Sequence, residues 1–117
     1  MTSGEQMRVC VTGLGGFVGG HLAVALRQAG CRVSGTAFDD AEAERIRAAG
    51  TPDVTVADLG DIEAMRRAFT DATLIVHLAA VSSGAAGAEA WKSNVDGSRN
   101  VMTAAAGRRV LLAGTGY

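Results

Sequence analysis

An apolar run, Arg8-Val9-Cys10-Val11-Thr12, ends directly on Gly13, and glycines return at positions 16 and 19 as a helical pattern begins. That spacing fits a buried strand that turns sharply into a helix packed against the strand it has just left. Gly13 permits the tight turn, Gly16 a close approach to the backbone, and Gly19 the contact of helix on sheet. The N–H groups at residues 16 to 18 then face outward at the positive end of a helix, where a phosphate pair can bind. A bound dinucleotide is the first implication. A helix–sheet turn that uses its glycines for packing alone is the other reading.

The rest of the chain repeats the same grammar. The first strand covers residues 7–12, apolar on both faces as a buried parallel strand should be. A helix is predicted over 17–29, with Leu22, Leu26 and Ala29 at helical spacing and Gly30 as its stop. A strand at 31–36, a charged helix at 40–49 and a short strand from Val54 to Ala57 follow. Ile62, Met65 and Phe69 mark one face of a helix over 61–69. The clearest buried strand is Leu74 to Leu78; a helix over 88–106 then leads to a strand from Arg109 to Ala113. Crossovers of this length are right-handed and place helices on both faces of one parallel sheet. The predicted fold is therefore α/β: a Rossmann-type, doubly wound parallel sheet in three α/β/α layers, strand order 3-2-1-4-5, truncated after strand five. Gly13–Gly19, Ala37–Asp39, Asp58-Leu59 and Leu78–Ser83 all fall at strand C-terminal ends, where such sheets bind ligands.

At 117 residues the chain reads as one domain, 7–117, behind a polar and disordered N-terminus, 1–6. It is 48% apolar and 20% charged with a net charge of −1, and no basic run points to a nucleic acid partner. The longest apolar stretch, Thr73 to Val81, is too short to span a bilayer and contains His77, so no membrane partner is expected. Met1 to Gln6 does not resemble a signal peptide. Cys10 and Cys31 fall on two predicted strands and read as reduced core thiols, which together places the protein in the cytoplasm.

Individual residues carry further expectations. Asp58, at the end of strand three, reads as an acceptor for an adenine amino group with Leu59 beside the ring; alternatively it caps the next helix, a task Asp61 could equally perform. His77 lies within a buried strand and reads as a hydrogen-bonded core or loop-fixing residue. After Leu78, the small side chains of Ala79 and Ala80 let the backbone approach a ligand.

Four motifs occur in order: TGLGGFVGGHL at 12–22, Asp58-Leu59, HLAA at 77–80 and NVDGSRNVMTAA at 94–105. Together they resemble the extended short-chain dehydrogenase/reductase family, in its NAD-dependent epimerase/dehydratase class, from residue 7 to 117. The resemblance implies that Gly13, Gly16 and Gly19 form the dinucleotide fingerprint, with Phe17 and Val18 where the family has its Phe-Ile pair. It places Asp58 and Leu59 around the adenine, and Leu78, Ala79 and Ala80 beside ribose and pyrophosphate. Asn94 matches a family asparagine near the active-site backbone; read alone, it is a cap or turn for the fourth helix.

Two departures stand out. The family position for an acidic residue after strand two holds Ala37. Asp39 takes the ribose role if the loop is slightly longer, or else belongs to a solvated acidic turn with Asp40. No arginine stands there to pair a 2′-phosphate, so NAD is the implied cofactor and NADP the alternative. Secondly, the family's tyrosine–lysine pair lies beyond strand five, and Tyr117 is the only tyrosine here. Thr115 matches the catalytic serine or threonine; read alone, it is a loop hydroxyl in a glycine turn. The implied function is NAD(P)-dependent oxidation, epimerisation or dehydration by hydride transfer at a carbinol or carbonyl carbon of a nucleotide sugar or related small metabolite. The 117 residues alone would then be catalytically silent. The alternative is a non-catalytic dinucleotide-binding module, a redox sensor or partner subunit. In this family the fourth helix commonly forms a homodimer interface, although Trp91 and Met102 also suit an ordinary core.

Overall fold

The computed structural model describes residues 6–78 and 87–113, with backbone only over 87–93. Nine elements alternate: β1 (Arg8–Thr12), α1 (Phe17–Gln28), β2 (Arg32–Ala37), α2 (Asp40–Ala48), β3 (Val54–Val56), α3 (Ile62–Phe69), β4 (Leu74–His77), α4 (Gly87–Ala105) and β5 (Arg109–Leu112). The strands form one sheet in the order β3-β2-β1-β4-β5, and every pairing is parallel. The expected doubly wound topology is what forms. The expected ends shift by at most one residue, most visibly at Cys31, which precedes β2 and closes α1 through its amide bond to Leu26 O (2.9 Å).

The strands lack simple apolar–polar alternation because both faces of the sheet are covered. Val9, Val11, Val33 and Val76 join Ala23, Ala43 and Ile46 in a core layer on the α1/α2 side. Cys10 and Ile75 point the other way, into a layer with Met65, Phe69, Val101 and Ala104 from α3 and α4. Cys10 is free and fully buried. That burial, reinforced by Asp53 and only partly offset by a hydrogen bond with Ser34, pushes its thiol up to about 11.

Register aligns the strand ends that matter for a site. Thr12 is level with Thr36 on β2 and with His77 on β4, and His77 is level with Leu112 on β5. From β1 the chain winds outward through β2 to β3, then returns to place β4 on the other side of β1. The crevice lies over that reversal. Inner strands β1 and β4 are hydrogen-bonded on both sides, whereas β3 is a three-residue, partly exposed outer strand. Amide exchange followed by mass spectrometry should therefore show the slowest exchange in Val9–Thr12 and Ile75–His77. Equal protection of Val54–Val56 would contradict this ordering.

Candidate functional site

The glycine turn after β1 is built tightly. Gly13 has φ +87°, in the left-handed region open mainly to glycine. Gly16 N–H donates to Gly13 O at 3.1 Å, and the first helical bond runs from Gly20 N–H to Gly16 O at 2.9 Å. This corrects the expected set of outward amides. The turn uses the Gly16 N–H, so the leading amides of α1 are those of Phe17, Val18 and Gly19. The side chains of Phe17 and Val18 are well exposed, leaving their contribution to a ligand with the backbone.

The three fingerprint glycines have different reasons to be glycine. A Cβ on Gly19 would overlap the Gly13 carbonyl, so Gly19 is required for α1 to pack on its own turn. Gly16 has φ −84° and ψ 169°, a conformation any residue adopts. A Cβ there would come no nearer than 3.4 Å to Gly13 O, an ordinary contact. The fold does not require Gly16 to lack a side chain. The space it leaves opens into a cleft of about 670 Å³, lined also by Gly13, Gly15, Leu78 and residues following β2 and β3.

At the β3 end, the helix-capping role considered for Asp58 falls to Asp61. Asp61 caps α3, accepting from Ala64 N–H at 3.0 Å. Asp58 shapes the preceding turn, its Oδ1 accepting from Gly60 N–H at 2.7 Å, and the residue lines the cleft. Leu59 is fixed from α4: Asn100 Nδ2 donates to Leu59 O at 2.8 Å, and a Cβ on Gly97 would lie 2.9 Å from Leu59 Cδ1. Gly97 and Asn100 also line the cleft. Sequence reasoning assigned neither a role, although a glycine inside a 19-residue helix is a recognisable anomaly. Asn94 lies in the interior of α4, which rules out a helix-capping role.

At the β2 end, Ala37 is buried and offers no polar group. Asp39 is the N-cap of α2, accepting from Glu42 N–H at 2.8 Å. The carboxylate lining this part of the cleft belongs instead to Glu42, beside Thr36 and Phe38. Its Oε1 accepts from Phe38 N–H at 3.1 Å. Among the described lining residues are three carboxylates, Glu42, Asp58 and Asp96, and no lysine or arginine.

At the β4 end, His77 behaves as expected of a core residue. Its Nδ1 is 2.7 Å from Thr12 Oγ1 and its Nε2 is 3.3 Å from Ser98 Oγ, tying β1, β4 and α4 together. Burial lowers its pKa, favouring the neutral ring. Leu78 N–H bonds back to both Thr12 O and Thr12 Oγ1, each at 3.1 Å, and the residue lines the cleft. Ala79, Ala80 and Thr115 lie outside the described residues. Among the described residues no cluster of three or more His, Cys, Asp or Glu could hold a metal, and no helix is long and apolar enough to cross a membrane.

Sheet order and cleft together define a doubly wound α/β protein with its opening at the strand reversal. Residues 9–117 match the NAD dependent epimerase/dehydratase family, and the chain belongs to it. It is 34% identical over 110 residues to cinnamoyl-CoA reductase 1 of Oryza sativa subsp. japonica, covering 89% of this chain and 32% of that protein. A short-chain dehydrogenase/reductase superfamily protein of Agrobacterium tumefaciens, solved with bound NAD, is 30% identical with TM-score 0.75, covering 93% of this chain and 33% of that one. The UDP-glucose 4-epimerase of Thermus thermophilus, solved in complex with NAD, is 29% identical with TM-score 0.68, covering 84% and 33%. The chain spans about a third of the length of these proteins.

The burial of His77 implies a pH dependence with a definite sign. Its folded pKa is depressed below 6.5, so the unfolded chain takes up the proton first. Stability from this residue is fully present above 6.5 and is lost as pH falls through that value towards the folded pKa. Urea unfolding of wild type and His77→Asn should show their stability difference shrinking from about pH 7 to about pH 5.5. A difference that stayed constant or grew would contradict the buried, neutral imidazole.

Proposed function

We propose that the chain binds NAD in this cleft and forms the cofactor-holding part of an oxidoreductase, epimerase or dehydratase acting on a small metabolite. Gly16 carries this reading. Its lack of a side chain serves nothing in the protein's own packing and leaves room at the start of α1, where a pyrophosphate can meet the backbone. The NAD-bound relatives support the choice of cofactor, and the UDP-glucose 4-epimerase supports a nucleotide sugar as the substrate class.

In this reading the amides of Phe17, Val18 and Gly19 hold the pyrophosphate, and Asp58 accepts from the adenine amino group. Leu59 and Leu78 flank the dinucleotide, and the family resemblance assigns Ala79 and Ala80 to it as well. When bound, the cofactor supplies a nicotinamide ring able to take or return a hydride. Thr115 holds the substrate oxygen by a hydrogen bond. His77 has no proton-carrying role, because its ring is tied to Thr12 and Ser98. Val95 and Met102, seven residues apart on α4 and both exposed, offer a face for a second copy.

Titration calorimetry with NAD and NADH tests the site. Gly16→Val should abolish binding while leaving the fold intact, because the backbone there suits any residue and the new side chain enters the cleft. His77→Asn should weaken binding far less. Unchanged affinity in Gly16→Val would remove the basis of the proposal.

A further inference from the structure

Within the cofactor reading, sheet order determines which residues meet each part of the dinucleotide. The pyrophosphate belongs at the glycine turn after β1, and the adenine at Asp58–Gly60 after β3. Because β2 lies between β1 and β3, the ribose joining these groups crosses the end of β2. Thr36, Phe38 and Glu42 line the cleft there. Ala37 is buried, and the Asp39 carboxylate caps α2. Glu42 is the carboxylate presented to this part of the cleft.

A second observation separates Glu42 from a simple capping residue. Its Oε1 bonds the Phe38 amide, but its Oε2, Cδ and Cγ each lie 2.9 Å from where a Cβ on Gly15 would stand. Gly15 is not among the glycines with positive φ, so its backbone conformation does not demand glycine. What the missing side chain provides is space for the Glu42 carboxylate over the glycine turn. Capping α2 requires no such space.

We propose that Gly15 and Glu42 act as a pair: the bare backbone at Gly15 lets the Glu42 carboxylate lie beside the adenosine ribose, where it accepts from the ribose hydroxyls and rejects a 2′-phosphate. An ionised carboxylate is acceptor-only and suits a vicinal diol. A phosphate at the same place would bring its negative charge against Glu42, and no lysine or arginine lines the described cleft to offset it. Specificity therefore comes from α2, one turn beyond the strand end where the sequence resemblance places it.

Dissociation constants for NADH and NADPH, measured by fluorescence titration on wild type, Glu42→Gln, Glu42→Ala, Gly15→Ala and the double Ala variant, test the pair. Wild type should prefer NADH by about a hundredfold, and Glu42→Gln should narrow that ratio by about tenfold or more, chiefly through tighter NADPH binding. Gly15→Ala should narrow it in the same direction by displacing the carboxylate. In the Glu42→Ala background the same Gly15 change should leave the ratio unchanged. An NADH to NADPH ratio in Glu42→Gln equal to wild type would overturn the pair, as would a wild type that prefers NADPH. A lowered melting temperature with an unmoved ratio would reduce Glu42 to a helix cap and also overturn it. These outcomes leave the cofactor site standing if Gly16→Val still abolishes NADH binding. Failure of wild type to bind either nucleotide would overturn both proposals.

Discussion

Close contact between the start of α1 and the turn it has just left sets the geometry of the cleft. With no side chain on Gly19, the helix packs on the Gly13 carbonyl. The turn then directs Leu14 downward against Gly35 of β2, where any Cβ would overlap the leucine side chain. Leu14 is buried and anchors the turn to the sheet. The same packing fixes the start of α1, with its leading amides, beside the turn that follows β1. A bulkier residue at Gly19 or Gly35 would lift α1 or expel Leu14, distorting the glycine turn before any residue facing the cleft was altered. Packing and cleft-facing positions are thus separated within seven residues: Gly13 and Gly19 build the turn, and Gly16 leaves the cleft beside it open.

Much of this architecture was legible in the sequence because its determinants are local and periodic. Continuous apolar runs at 9–12 and 74–78 could only be covered on both faces, which placed those strands in the middle of the sheet. The α3 stripe of Ile62, Met65 and Phe69 follows the helical repeat and meets α4 in one core layer. Even the competition between Asp58 and Asp61 was visible, since two nearby carboxylates had one helix start to share. The structure assigned the cap to Asp61.

What remained hidden depends on elements brought together by the fold. Glu42 reads as one carboxylate in a charged helix, and nothing in the local sequence says that the first turn of α2 lies over Gly15. Asp39 drew attention because of its distance from the fingerprint. Its proximity to a new helix start gave its carboxylate a local partner instead, the Glu42 amide. Gly97 and Asn100 were similarly obscured, because Leu59, the residue they position, lies about forty positions earlier. The amide of Gly16 escaped for the opposite reason: its partner, Gly13 O, is so close that only the turn's actual curvature reveals the bond.

An acidic cleft for a doubly anionic pyrophosphate looks contradictory if binding is judged by side-chain charge alone. The contradiction lifts once the groups are placed. At the glycine turn the available donors are peptide N–H groups at the positive end of α1, which supply favourable partial charge without a lysine or arginine. The lining carboxylates come from α2, the β3 end and α4, and that of Glu42 reaches over the turn at Gly15 while it accepts from the Phe38 amide. In the proposed reading, backbone dipoles attract the phosphates common to both nicotinamide dinucleotides, while the Glu42 carboxylate acts on the one group that differs between them, the ribose 2′ position. An arginine added to strengthen phosphate binding would weaken that discrimination, because its reach would not stop at the pyrophosphate. Affinity drawn from peptide groups and selectivity drawn from a side-chain carboxylate can then change independently. In a fold that must keep its cradle rigid, substitutions at positions such as 15 and 42 are where cofactor preference can shift with the least disturbance to the sheet.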